Sequence, residues 1–271
     1  MARLSRRNDR GDRKSGGSWR APREAAPAGF EWLWGRHPVE AALANPRRDG
    51  LQRLVLGPGR ILSAAATGAP VIPRAEILDM HDISQLLPQG ASHQGYALLA
   101  KPPEPVDLED MAEPALGVIL MLDQVTDPQN IGAILRSAAA FGARGVVLQD
   151  RHAPALAGAL AKAAAGAVDV IPVARVVNLS RALDQLSSLG WRTVGLSGEA
   201  TQPLDRVLDG SATVLVLGSE GEGLRRLVAE HCDTVAKIAQ AGGLESLNVS
   251  AAAAVALYEA TKLASSANAI P

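Results

Sequence analysis

From residue 117 onward the chain repeats one pattern, a short apolar run followed by a stretch of helical character, and that alternation limits the folds open to it. GVILMLD leads to a helix over 131–141, GVVLQD to one over 155–165 and VDVIPV to one over 179–189. WRTVGLS, ATVLVLGSE, a short helix around Leu224, DTVAKI and a last helix over 247–263 continue the series. Strands apolar on both faces and separated by helices specify a parallel sheet covered on both sides. With 47% apolar but only 3% aromatic residues among 271, its core is built mainly from Ala, Val and Leu. Ligands of such sheets bind in loops at the carboxyl ends of the strands. Polar residues in those loops therefore carry the functional information.

The preceding part reads differently. WLWGRHPVEAALANPRR places a turn before a short amphipathic helix, LQRLVLG is a strand bounded by Gly57-Pro58-Gly59, and APVIP and HQGYALLA supply further extended segments. These make a small α/β unit over 31–100. KPPEPVDLEDMAEPAL, residues 101–116, has four prolines and five acids and reads as an extended linker. The parallel-sheet domain then occupies 117–271. Residues 1–30 form a basic arm, with eight Arg or Lys against three acids, a charge of +5 that leaves −6 on the remainder of a chain whose total is −1. Its Gly and Ser content and few apolar residues predict disorder and attraction to polyanions. Cys232 is the single cysteine, which excludes an intrachain disulfide and a cysteine-based zinc cluster. No run approaches the roughly 20 apolar residues of a membrane span and no signal peptide is evident, so the expectation is a cytoplasmic protein without membrane or metal.

Three loops hold polar residues beyond what a fold requires. In DPQNIGAILRSAAAFG, Asp127-Pro128 is a helix entry, Asn130 reads as an N-cap and Gly132 as a close-packing position. Arg136 is the only charge on that helix, either reaching water or aimed at an anion such as phosphate. In VLVLGSEGEGLRRL a strand runs into Gly218, Gly221 and Gly223 with Glu220 between them, a spacing that fits neither a dinucleotide fingerprint nor a Walker loop. In KIAQAGGLESLNVSAAAAVALYEA, Ser246, Asn248 and Ser250 crowd one helix start, where only one of them can be the cap.

Taken in this order, NIGAILRSAAAFG, LVLGSEGEG and SLNVSAAAAVALYE resemble the three motifs of the SpoU family of RNA ribose 2'-O-methyltransferases. GRHPVEAAL and HQGYALLA resemble the small substrate-binding domain that precedes the catalytic domain in many members, an architecture similar to the bacterial 23S ribosomal RNA guanosine 2'-O-methyltransferases. The resemblance implies a trefoil-knotted α/β domain, a homodimer with its active site at the subunit interface, an RNA substrate and S-adenosylmethionine as cofactor. It places the cofactor against backbone around Gly218, Ile238 and Leu247. It assigns Asn130, Arg136, Glu220, Ser246 and Asn248 to the catalytic and substrate cluster, with Asn130 and Glu220 orienting Arg136. Because a guanidinium is a poor base at neutral pH, Arg136 is expected to fix a phosphate and stabilise the developing alkoxide. One departure stands out: Ile238-Ala239-Gln240 replaces the family's usual Ile-Pro-Met, and loss of the proline loosens that loop.

The rival readings are fewer. A transfer RNA could replace ribosomal RNA as substrate, or the arm and small domain could serve a non-catalytic RNA-binding protein. A nicotinamide-dependent dehydrogenase could place Asp150 on a ribose, but no fingerprint loop precedes that strand.

Overall fold

The computed structural model describes residues 26–151, 153–242 and 246–267. Most of the expected arm, residues 1–25, lies outside this range, as do His152, Gly243, Leu244, Glu245 and residues 268–271. The amino-terminal part contains β1 (Glu31–Trp34), α1 (Arg36–Ala44), β2 (Leu51–Leu56), β3 (Ala75–Ile77), α2 (Met80–Leu86) and β4 (Tyr96–Ala100). These strands form a sheet ordered β1-β4-β2-β3, in which β4 is antiparallel to β1 and β2 and β3 is parallel to β2. The period of two in the side chains divides its strands cleanly. Trp32, Trp34, Val55, Ala97 and Leu99 pack with Ile83 and Leu87 on one face, whereas Leu33, Leu54 and Leu98 join the main core on the other.

The remainder contains α3 (Leu108–Ala112), β5 (Val118–Leu122), α4 (Pro128–Ala140), β6 (Gly145–Gln149), α5 (Gly158–Ala163), β7 (Val173–Val176) and α6 (Leu179–Ser188). It continues with β8 (Arg192–Leu196), β9 (Gln202–Pro203), α7 (Leu204–Val207), β10 (Thr213–Leu217), α8 (Arg226–Glu230), β11 (Thr234–Lys237) and α9 (Val249–Ala267). Among the described residues the second sheet runs β7-β6-β5-β10-β8-β11-β9, and all its pairings are parallel. Val118, Leu120 and Leu122 of β5 face the core shared with α4, α5 and α9, while Ile119 and Met121 face the layer of α3, α6 and α8. Both faces are therefore covered, as the unbroken apolar strands require.

The order of the strands positions the site. β5, β6 and β7 step outward in sequence, the chain returns to the other side of β5 for β8, and β10 then inserts between β5 and β8. The loops after β5 and β10 thereby lie side by side at the carboxyl edge. After β11 the chain turns back, and α9 packs on α4, β10 and β5. Where α4 crosses α5, a side chain at Gly132 would come within 2.5 Å of Ala163 Cβ and 2.7 Å of the Leu160 carbonyl oxygen. The close-packing role expected of Gly132 is what the helices show.

Several elements differ from expectation for identifiable reasons. APVIP, residues 69–73, is not a strand, because Pro70 and Pro73 remove ladder donors; the strand is β3, which follows. In VDVIPV the chain first makes a 3-10 turn over Ala167–Asp169, and β7 begins only at its last valine. The expected linker is not extended: Asp107 caps α3, and Leu108, Met111 and Ala112, at i, i+3 and i+4, bury one stripe. Trp191 Nε1 donates to the Ala112 carbonyl at 2.9 Å, and Arg144 donates to those of Met111 and Glu113. Ala26 and Phe30, inside the span assigned to the arm, pack against the tryptophan face of the small sheet.

A buried ion pair joins the two sheets' surroundings. Arg48 Nη1 donates to Asp169 Oδ1 at 3.0 Å, with side-chain exposures of 1% and 3%, and Asn45 Nδ2 donates to the same oxygen at 3.1 Å. Burial lowers the pKa of Arg48 and raises that of Asp169, and their mutual attraction opposes both shifts. Arg48 Nε and Nη2 have no partner among the described residues, so removing the carboxylate leaves a buried cation with only the weaker attraction of Asp49 against its desolvation. Asp169→Ala is expected to lower stability in urea unfolding by about 3–5 kcal/mol, whereas Arg48→Met with Asp169→Leu should recover most of that loss.

Candidate active site

The loop after β5 is short. Asp127 takes the capping role: its carboxylate accepts from Gln129 N at 3.0 Å, and Pro128 occupies the first turn. Asn130 is therefore not the N-cap expected from the sequence. It sits in the first turn of α4 with its amide released from capping, because the Asp-Pro pair before it already satisfies that end.

The loop after β10 folds back on itself. Gly223 N donates to the Ser219 carbonyl at 3.0 Å, and a side chain at Gly218 would lie 2.0 Å from the Gly223 carbonyl carbon. What needs the bare Gly218 backbone is thus the loop's own return. This turn raises Glu220 at its tip. At the third loop Asn248 caps α9, its Oδ1 accepting from Ser250 N at 2.9 Å, Ala251 N at 3.3 Å and Ser250 Oγ at 2.5 Å.

These three loops meet at one carboxylate. Glu220 Oε1 accepts from Asn130 Nδ2 at 3.3 Å, Asn248 Nδ2 at 2.5 Å and Val249 N at 3.2 Å, and Asn248 Nδ2 also donates to Asn130 Oδ1 at 3.1 Å. Residues 90 and 118 positions apart in sequence are joined as a single network. The start of α9 contributes one N–H to this oxygen, that of Val249, and a helix start is a favourable place for negative charge.

Of the remaining predicted residues, Ser246 is exposed and makes no hydrogen bond to Asn130, Glu220 or Asn248 among the described residues. Ile238 packs against the main core beyond β11, Leu247 is half-buried just before Asn248, and Ala239 and Gln240 are exposed. Arg136 stands apart. Six positions along α4 turn it about 120° away from Asn130, and no hydrogen bond links it to Asn130 or Glu220 among the described residues. Within one chain, therefore, Asn130 and Glu220 make no contact that orients Arg136. Arg136 is exposed on the wall of an open cleft of about 630 Å³ that includes His37, Glu40, Ala139, Ala165 and Val170.

Sequence reading passed over Asp123 and Arg225. Asp123, directly after β5, is fully buried; Arg225 Nε donates to its Oδ1 at 2.7 Å and Arg225 N to its Oδ2 at 2.9 Å. The pair clamps the exit of the Glu220 loop onto the end of β5. An acid closing an otherwise apolar strand was the available signal, since a buried carboxylate needs donors.

No group of three or more His, Cys, Asp or Glu among the described residues could hold a metal ion, and no helix among them is long and apolar enough to cross a membrane. An all-parallel sheet whose adjacent carboxyl-end loops gather an amide–carboxylate–amide network defines an α/β protein with a preorganised polar site at its strand ends. The model of the SpoU rRNA methylase family matches residues 117–258, more than half of the chain, and the chain belongs to that family. A 23S rRNA (guanosine-2'-O-)-methyltransferase RlmB of Pseudomonas aeruginosa is 38% identical over 85% of this chain and 95% of its own length. An uncharacterized tRNA/rRNA methyltransferase of Synechocystis is also 38% identical, over 87% of this chain; the alignment spans 63% of that relative. Two mycobacterial relatives of the same description are covered over 58% of their lengths. Among solved structures, the SpoU methyltransferase AviRb of Streptomyces viridochromogenes in complex with AdoMet superposes with a TM-score of 0.70 at 26% identity, covering 87% of this chain and 90% of that one.

Cys232 lies beneath this region, its Sγ donating to the Val228 carbonyl at 3.3 Å. Burial, and then the nearby Asp233 and Asp123 carboxylates, push its thiol up to about 12. Since the thiolate is the nucleophile, iodoacetamide at pH 8 should leave Cys232 unmodified in the folded protein and label it rapidly in urea. Rapid labelling without denaturant would contradict this packing.

Proposed function

We propose that the protein transfers a methyl group from S-adenosylmethionine to a ribose 2'-hydroxyl, with a guanosine of 23S ribosomal RNA as substrate. The observation that carries this reading is the joining of Asn130, Glu220 and Asn248 in one network, because these are the residues of the three motifs that match the family. The RlmB relative aligned over nearly its whole length supports ribosomal RNA and guanosine. A transfer RNA substrate is the second reading, favoured by the tRNA/rRNA description of the Synechocystis relative.

The strand ends fit the cofactor. Gly218 and Ile238 follow β10 and β11, which flank β8, so they stand about two strand spacings apart, roughly 10 Å. That width suits a nucleoside held against backbone at both sides, with Leu247 as the third wall. S-adenosylmethionine bound there supplies an electrophilic methyl on a sulfonium. The chain's own part is positioning and charge. Glu220 fixes Asn130 at the start of α4, and Asn130 presents its remaining amide hydrogen to the ribose. Arg136 fixes an RNA phosphate and stabilises negative charge developing on the 2'-oxygen, where a guanidinium acts as donor and not as base. Ser246 contributes from the third loop, and the exposed Ala239-Gln240 step leaves that edge of the pocket less constrained than a proline would.

Arg136 reaches the site in a homodimer. Exposed Ala251, Val255 and Tyr258 line α9, with Phe141 at the end of α4 edge-on to Tyr258 at a centroid distance of 6.1 Å. Arg136 belongs to the neighbouring stripe of Gln129, Ala133 and Ala140 on α4, exposed except at the half-buried Ala133. A twofold pairing over this surface buries the apolar patch and carries each Arg136 toward the other subunit's network. The carboxyl-terminal domain is read as trefoil-knotted, as the family resemblance implies, with α9 packed on α4, β10 and β5. The 117–271 domain carries the chemistry, the 31–100 unit binds substrate, 101–116 joins them, and the basic arm adds non-selective affinity for phosphate in a cytoplasmic enzyme.

Arg136→Ala and Asn130→Ala are expected to reduce methyl transfer to ribosomal RNA by a hundredfold or more, the order found when a transition-state donor is removed. Thermal unfolding and S-adenosylmethionine affinity by calorimetry should stay close to those of the unaltered chain. Near-normal turnover in either variant would reject the assignment.

A further inference from the structure

A second cleft opens at the same edge of the sheet, on the far side of β5 from Gly218. It measures about 220 Å³ and is floored by Leu122, Val125, Leu148 and Ala153, with Gln124, Thr126, Gln149 and Arg151 around it. None of these residues belongs to the three-loop network. An apolar cavity of about 150 Å³ accommodates a benzene ring, so this one has room for a fused bicycle. Its lining has the character of a small-molecule site, an apolar floor with a few convergent polar groups. It occupies the carboxyl ends of β5 and β6, where open parallel sheets bind ligands.

Two further features mark the cleft. Gln124 has φ 57°, the left-handed region that a side chain other than glycine's adopts at a cost. Such strain clusters at ligand contacts. Arg151 is exposed and forms no ion pair with another described residue, so its planar fork of donors is uncommitted. The cleft is also close to the network: Thr126 precedes Asn130 by four residues, which limits their separation to about 14 Å.

We propose that this cleft receives the base of the methylated nucleoside and that Arg151 reads it as guanine, donating to O6 and N7, with Gln149 completing the contact. The inference rests on the methyltransferase reading and adds the residues that choose the base. An unpaired RNA base is recognised by burying its face and hydrogen-bonding its edges. Arginine bidentate to O6 and N7 is the common solution for guanine. The apolar floor takes the ring face, and the ribose then extends toward Asn130.

The test uses the full chain, tritiated S-adenosylmethionine and 23S ribosomal RNA transcripts in which the methylated position has first been mapped. A fragment spanning that position is then made with guanosine or 7-deazaguanosine, which lacks the N7 acceptor. The unaltered protein should lose roughly tenfold or more in kcat/KM on the 7-deaza RNA. Arg151→Ala should lose a similar factor on guanosine RNA and show little further loss on the 7-deaza RNA, with S-adenosylmethionine affinity unchanged. Arg151→Lys, which keeps the charge and a donor but not the planar fork, should fall between the unaltered protein and the alanine variant. Equal sensitivity to N7 in all three proteins would overturn the proposal and reduce Arg151 to a phosphate contact. No methylation by the unaltered protein on any RNA would reject the underlying function and this assignment with it.

Discussion

β10 cannot pair with β5 and β8 together unless the chain returns to the middle of a sheet whose outer strands are already laid down. That insertion is the constraint on which the site depends. Parallel pairing at Leu217–Leu122 and Leu217–Leu196 brings the three strand ends level, so the loops carrying Asn130 and Glu220 emerge side by side. Asp123 and Arg225 lock the relationship from below. The buried carboxylate accepts both a backbone N–H and a guanidinium N–H from the far end of the Glu220 loop, and a carboxylate with no exposure strongly disfavours losing either.

Above that clamp, Glu220 converts proximity into a unit. One oxygen receives three donors from two other loops, and Asn248 serves at once as helix cap and as link to Asn130. Groups that satisfy one another in this way are preorganised, so little reorganisation is left to the reaction itself. The same economy explains why Asn130 is free: capping of α4 falls to Asp127. Arg136, by contrast, is held by none of these contacts and faces outward, which suits a group whose partner lies on another molecule.

Much of this was legible in the sequence. Unbroken apolar runs such as VILML and TVLVL could only be strands buried on both faces, and the three loops stood out because Arg136, Glu220 and the Ser246–Ser250 group exceeded what caps and turns require. What was hidden were relations between distant residues. The capping of α4 by Asp127 instead of Asn130 depends on a one-turn shift of helix start that Pro128 permits but does not compel. The joining of Asn130 to Glu220, which leaves Arg136 on another side of α4, links residues 90 positions apart, a relation that no local pattern encodes. The prolines and acids of 101–116 concealed α3, because its stripe of Leu108, Met111 and Ala112 is too short to dominate the composition. Asp123 was hidden by its neighbours: at the end of a strand a single acid reads as a turn residue until its burial is known.

Asn130, Glu220 and Asn248 are joined as one hydrogen-bonded unit. A double-mutant cycle on kcat/KM for methyl transfer to ribosomal RNA, combining Asn130→Ala with Asn248→Ala, tests it most directly. Residues of one network are non-additive, so the second substitution should cost much less once the first is present. Two losses that multiply, each undiminished by the other, would contradict it.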